Sequence, residues 1–151
     1  MDYFKETETL LYSVPKKEQA LIQLTRRRAR LSRKGAPIVP SGVDYEKVYT
    51  KATFVSSTLN DICELADVCQ RIADTQAEIE EIKNCVEAIR NKELKMCLKL
   101  WYWEGLSKAA IAERINRWSA TTVYNRRNEA VAEFARIYWG AKIDTEKLKN
   151  F

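Results

Sequence analysis

Residues 119–128, Ser-Ala-Thr-Thr-Val-Tyr-Asn-Arg-Arg-Asn, concentrate hydrogen-bonding side chains at helical spacing. Thr121, Tyr124, Asn125 and Asn128 recur at steps of three, one and three, which places them together on one side of a helix. Chemistry of this kind is recognition. A side-chain amide pairs with the two hydrogen-bonding atoms that adenine offers in the major groove, so Asn125 is the best candidate for reading sequence. Thr121, Tyr124 and Asn128 complete the candidate base-contacting set, and Tyr124 alternatively packs on Trp118. Lys108, Ser119, Arg126 and Arg127 flank that face and suit phosphate contacts, which position a protein on a duplex without reading it.

Catalytic constellations are scarce. The 151-residue chain contains no His, which removes the usual general base and the Ser/His and Cys/His nucleophile pairs. No glycine-rich phosphate loop occurs. The acids Glu78, Glu80, Glu81 and Glu87 read as the solvated side of a long helix, with nothing to suggest a pocket. Cys63, Cys69, Cys85 and Cys97 lack C-x-x-C spacing and lie within helical patterns, so they read as reduced, packed thiols and not as zinc ligands. An enzyme is not expected, nor a metal or other cofactor.

The recognition residues need a scaffold, and the sequence supplies one between Lys92 and Tyr138. Leu94, Cys97, Leu98 and Trp101 line one face of a helix that Gly105 can end in the left-handed conformation. Ser107 is placed to cap a second, short helix carrying Ile111, Ala112 and Ile115. Asn116-Arg117-Trp118 breaks that helix, and Ser119 is the next candidate cap. A third helix follows, with Val123, Ala130, Val131 and Phe134 as its buried stripe. Two helices joined by a tight turn, the second opening with small polar residues, describe a helix-turn-helix.

Gly105-Leu106-Ser107, Ile111-Ala112, Ser119-Ala120-Thr121-Thr122-Val123 and Ala130 resemble region 4 of sigma factors and related response-regulator DNA-binding modules. The pattern covers about a third of the chain. Two departures stand out: the Ile115–Ser119 turn is one residue longer, and Arg127 occupies a position usually apolar. Trp118 can absorb the extra residue by filling the gap between the helices.

Upstream, residues 2–12 suit a short helix that Ser13-Val14-Pro15 interrupts. A second helix is expected from Lys16 to Lys34, with Leu21, Leu24 and Leu31 as a narrow apolar seam. Arg26, Arg27, Arg28, Arg30, Arg33 and Lys34 put six cations in nine positions without one acid, and they are candidates for additional phosphate contacts. Gly35-Ala36-Pro37-Ile38-Val39-Pro40-Ser41-Gly42 reads as a linker, with Ala36 and Val39 extended before their prolines. A long helix from about Tyr45 to Arg90 should carry the stripe Leu59, Ile62, Leu65, Cys69, Ile72, Gln76, Ile79, Ile82, Val86 and Ile89, which resembles a coiled-coil seam. Such a stripe needs a partner, either the basic helix folding back or a second copy of the chain, and a homo-oligomer, most simply a dimer, is expected.

The expected fold class is therefore all-α. Residues 1–91 form a helical basic and oligomerisation region with a linker near 35–44, residues 92–139 the helix-turn-helix, and residues 140–151 a polar tail. Lys and Arg outnumber Asp and Glu nine to four over residues 1–39, are outnumbered six to ten over 40–92, and lead eight to five over 93–139. Basic ends around an acidic middle suit a polyanion such as double-stranded DNA. No apolar run is long enough to span a bilayer and no signal-peptide pattern opens the chain, so a cytoplasmic protein without membrane contact is expected.

The whole layout resembles the small phage-encoded transcriptional regulators of the ArpU and RinA type from low-GC Gram-positive bacteria. That resemblance implies control of late genes from a phage or prophage, with host RNA polymerase as a possible partner. Two other classes share the layout: a phage terminase small subunit binding packaging-site DNA, and a helical protein-interaction adaptor that has lost DNA binding.

Overall fold

The computed structural model describes residues 2–33 and 52–140. Lys34, the Gly35–Gly42 linker, the expected start of the long helix at Tyr45 and the tail beyond Gly140 lie outside the described residues. Among the described residues every regular element is helical, so the all-α expectation is met. They are α1 (Tyr3–Arg33), α2 (Ala52–Glu87), α3 (Lys92–Leu98), which continues as a π-helical turn over Lys99–Trp103, α4 (Lys108–Arg114) and α5 (Ala120–Trp139). By packing, the chain divides into one unit of Met1–Lys17 with Glu78–Phe151 and another of Glu18–Ala77. These units cut the chain differently from the partition at residue 92, because the first turns of α1 belong with the C-terminal helices.

α1 corrects the expected break at Ser13-Val14-Pro15: it is one continuous helix with Pro15 inside it. Proline removes the amide that would bond the carbonyl four residues back, and an interior proline costs a helix about 3 kcal/mol. Here the freed Leu11 carbonyl accepts the Trp103 indole N–H at 3.2 Å, so the group proline leaves unpaired is satisfied from outside the helix. The Ser13 hydroxyl also donates to the Leu10 carbonyl at 2.5 Å. Asp2 opens the helix by accepting from the Phe4 and Lys5 amides.

In the unit Glu18–Ala77, α1 and α2 pack as a hairpin around Leu31, Val68 and Ile72, with Leu21, Leu24 and Leu65 against them. The seam of α2 is shifted from the expected one. Val68 is buried while Cys69 and Gln76 are exposed, and Leu59 is 47% exposed. Leu65, Val68, Ile72, Thr75, Ile79, Ile82, Val86 and Ile89 step alternately by three and four, which holds one face toward the partner helix. Adjacent residues on a helix differ by only about 100°, so a stripe read from apolar types alone can slip by one position. Ile72, Ile79, Val86 and Ile89 are all buried within the single chain. Ile62 is only half-buried and Leu59 is exposed, so the uncovered part of the seam lies at its N-terminal end. Cys63 and Cys69 are exposed and not packed as expected, because the seam passes beside them, whereas Cys97 is buried.

The other unit turns at Ala88–Asn91, where the Asn91 side chain caps α3 by accepting from the Glu93 and Leu94 amides. The π-helical turn then widens the spiral, and the Glu104 amide reaches back to the Lys99 carbonyl at 3.0 Å. Leu100 and Tyr102 are buried and Trp101 and Trp103 half-buried, so four successive side chains all face protein. Gly105, at φ +66°, ends the turn in the left-handed region as expected.

Candidate nucleic-acid interface

Both expected caps form. The Ser107 hydroxyl accepts from the Ala110 amide at 3.3 Å, and the Ser119 hydroxyl accepts from the Thr122 amide at 3.2 Å. Each satisfies an amide that the first turn of a helix leaves without a carbonyl. α4 and α5 are joined through Ile115–Ser119, and the Trp118 amide bonds the Ile115 carbonyl at 3.0 Å within that connection. Trp118 packs against the core of Cys97, Leu100, Ile111, Ile115 and Val123, so its indole fills the corner between α4 and α5. Val123, Ala130, Val131 and Phe134 of α5 are fully buried, as their spacing predicts.

With that face buried, the first turns of α5 present Thr121, Tyr124 and Asn125 to solvent. The Tyr124 ring does not stack on Trp118. It lies between two cations, with Lys108 Nζ 4.7 Å and the Arg127 guanidinium 5.0 Å from its centroid. Lys108, from the first turn of α4, thereby joins the exposed face of α5. A patch of hydroxyl, phenol, amide and ammonium results. Arg126 is exposed at one edge and bonds Glu129 at 2.9 Å.

Two expected contacts are misplaced. Asn128 is only half-exposed and its Oδ1 is buried without a hydrogen-bond partner, so its carbonyl faces protein instead of a groove. Arg127 is 8% exposed and does not reach solvent phosphates. It follows Val123 by four residues and precedes Ala130 by three, so it occupies the apolar stripe itself. Burying a guanidinium demands partners. Glu8 of α1 supplies the counter-charge at 2.5 Å, and Glu8 also accepts from the Tyr102 hydroxyl at 2.8 Å. Arg127 donates to that hydroxyl at 3.3 Å and lies 4.8 Å from the Trp101 ring and 5.6 Å from Phe4. Arg127 Nε is left without an acceptor. Burial disfavours the guanidinium charge, but Tyr102 and Glu8 favour it and carry its pKa above the ordinary value. Burial likewise raises the Tyr102 phenol and pushes the Cys97 thiol up to about 11, so neither ionises near neutral pH.

The first half of α1 is therefore a wall of this module, which the sequence reading missed. The Trp139 indole donates to the Thr7 hydroxyl at 3.1 Å, and the Trp101 indole to the Tyr12 hydroxyl at 3.3 Å. Tyr3 packs edge-on against Trp139, and Tyr12 against Tyr102. One signal was available: an arginine in an apolar stripe, with no acid three or four residues away, requires a carboxylate from elsewhere in the chain.

Of the remaining expected phosphate contacts, Arg26, Arg27, Arg28, Arg30 and Arg33 are all exposed on α1 in the unit Glu18–Ala77, and Arg27 pairs with Glu64. Among the described residues no cluster of His, Cys, Asp or Glu is arranged to hold a metal ion, and no helix is long and apolar enough to cross a membrane. Compared with protein-family models, curated proteins and solved structures, the chain finds no match.

Proposed function

We propose that this chain is a sequence-specific, double-stranded-DNA-binding transcriptional regulator, of the phage-encoded ArpU and RinA type, with α5 as its recognition helix. One observation carries the reading. Directly after a capped, compact turn, α5 buries Val123, Ala130, Val131 and Phe134 and leaves Thr121, Tyr124 and Asn125 exposed beside Lys108. A helix held from behind, with amide, hydroxyl and aromatic groups on its free N-terminal face, suits insertion into a major groove. The recognition set narrows to Thr121, Tyr124 and Asn125, with Lys108, Ser119 and Arg126 as phosphate contacts.

The test separates reading from holding. Genomic fragments captured by the full chain identify the preferred site and show whether it lies at a promoter or at a packaging site. On that site Asn125→Ala should cost about 1–3 kcal/mol, with little loss on arbitrary DNA. Arg126→Ala should weaken both equally and lower the salt slope by about 0.9. Equal behaviour of the two variants on every sequence removes α5 from the groove. If neither changes binding, the module is an adaptor.

A further inference from the structure

The arginines on the second half of α1 form the densest run of cations among the described residues. Many other bases among the described residues are matched: Lys17 with Glu78, Arg71 with Asp67, Lys95 and Lys99 both with Glu87. Even within this run Arg27 is matched to Glu64 across the hairpin. Arg26, Arg28, Arg30 and Arg33 have no ion pair among the described residues, although all four are exposed and free to swing toward acids. The sequence withholds acids from the positions that would serve them. Arg26 and Arg30 are four apart and Arg30 and Arg33 three apart, so the helical neighbours of each are the other cations, an arrangement that works against the helix.

The geometry of that repulsion is ordered. Gln19, Gln23, Arg26, Arg30 and Arg33 step by four, three, four and three, so they form one stripe along α1. Leu21, Leu24 and Leu31 hold another side of the helix against Val68 and Ile72. The stripe is thus fixed by hairpin packing with its three guanidiniums side by side over about 10 Å of helix. On its flank lies an open groove between α1 and α2, lined in part by Arg27, Arg30, Arg71 and Asp74, and Arg30 is its one cation without an ion pair among the described residues. Helix-end electrostatics favour cations only in the last turn, which accounts for Arg30 and Arg33 but not for Arg26 and Arg28.

We infer that the Arg26–Arg30–Arg33 stripe is a second, sequence-independent DNA contact that grips the phosphate backbone apart from the recognition helix. This deepens the DNA-binding reading above and rests on it. Each strand of duplex DNA carries one negative charge per about 3.4 Å of axis, so a stripe of this length laid along one strand meets about three phosphates, and its mutual repulsion is relieved on binding. Guanidiniums also suit phosphate oxygens by presenting paired donors.

The probe is a short duplex of arbitrary sequence, titrated with the full chain at several salt concentrations. Replacing Arg26, Arg30 and Arg33 together by Gln should reduce the slope of log K against log salt by about 2.7, so that over a fourfold rise in salt the wild type loses about forty times more affinity than the variant. Replacing the same three by Lys should preserve the slope. Gln is a good helix former, and unchanged helical circular dichroism and melting temperature verify the fold. An unchanged slope in the folded Gln variant overturns the inference, and so does a slope that falls equally in the Lys variant. Binding of the wild type to phosphatidylserine vesicles, with none to the duplex, overturns DNA as the partner. Asn125→Ala, titrated against both the captured preferred site and the arbitrary duplex, separates the two readings. If it has no effect on sequence preference while the Gln variant loses its slope, the stripe stands and the recognition-helix reading falls.

Discussion

The two halves of α1 show the same helix used in opposite ways. Over residues 3–17 its polar groups are engaged by the C-terminal helices: Thr7 by Trp139, Glu8 by Arg127 and Tyr102, the Leu11 carbonyl by Trp103, and Tyr12 by Trp101. Over residues 18–33 leucines pack on Val68 and Ile72, Arg27 pairs with Glu64, and the other four arginines have no ion pair among the described residues. A buried charge must be matched where the chain folds, whereas an exposed one can wait for a partner in solution. The difference teaches that Arg127 is architecture and that the arginines of α1 are surface. The sequence alone lists them together as basic residues.

The sharpest way to break this contrast is to remove the interior cation. Arg127→Ala should destabilise the protein by about 3–5 kcal/mol, because it leaves Glu8 and the Tyr102 hydroxyl facing a cavity in a largely buried network. Urea unfolding measures it. Pairing Arg127→Met with Glu8→Leu should cost less than the sum of the single changes by about 0.5–3 kcal/mol, since both halves of the ion pair then disappear together. Strict additivity would mean that Glu8 and Arg127 are neighbours without being partners.

A smaller effect tests the engaged half at Pro15. Trp103→Phe keeps an aromatic ring but removes the indole N–H, which leaves the Leu11 carbonyl unpaired at a cost of about 1–3 kcal/mol. In a Pro15→Ala background the backbone regains an amide for that same carbonyl. The loss from Trp103→Phe should therefore shrink by about 1 kcal/mol. Equal losses in both backgrounds would separate the indole bond from the proline.

The residues that behaved as the sequence implied are those whose partners are local. Ser107 and Ser119 cap the helices they precede, Gly105 takes positive φ, and Val123, Ala130 and Phe134 follow a helical period, all within a few residues of chain. What the sequence concealed depends on distant partners. Pro15 reads as a break because the compensating indole lies 92 residues away. Arg127 reads as a phosphate contact because its carboxylate lies 119 residues away. Asn128 is placed on the groove face by its spacing, and the half-burial of its side chain depends on neighbours the period does not reveal. The α2 seam slipped from Cys69 to Val68 for a related reason, since only the packed hairpin distinguishes adjacent helical positions.

The smallest expected effect is the most pointed, because its sign is the reverse of the Arg127 result. Arg30 has Arg26 four residues before it, Arg27 three before and Arg33 three after, so it is the cation with the most like-charged helical neighbours. Each such pair opposes the helix by about 0.2–0.5 kcal/mol at low salt. Its favourable interaction with the helix end is of similar size, about 0.3–1 kcal/mol, and offsets part of that. Arg30→Gln should therefore leave stability unchanged or raise it by up to about 0.5 kcal/mol, and raising the salt should erase the gain by screening the repulsion. Thermal melts of wild type and variant at low and high salt measure both statements. A loss of 1 kcal/mol or more, insensitive to salt, would show that Arg30 is held by the fold as Arg127 is. The two halves of α1 would then differ in exposure but not in kind.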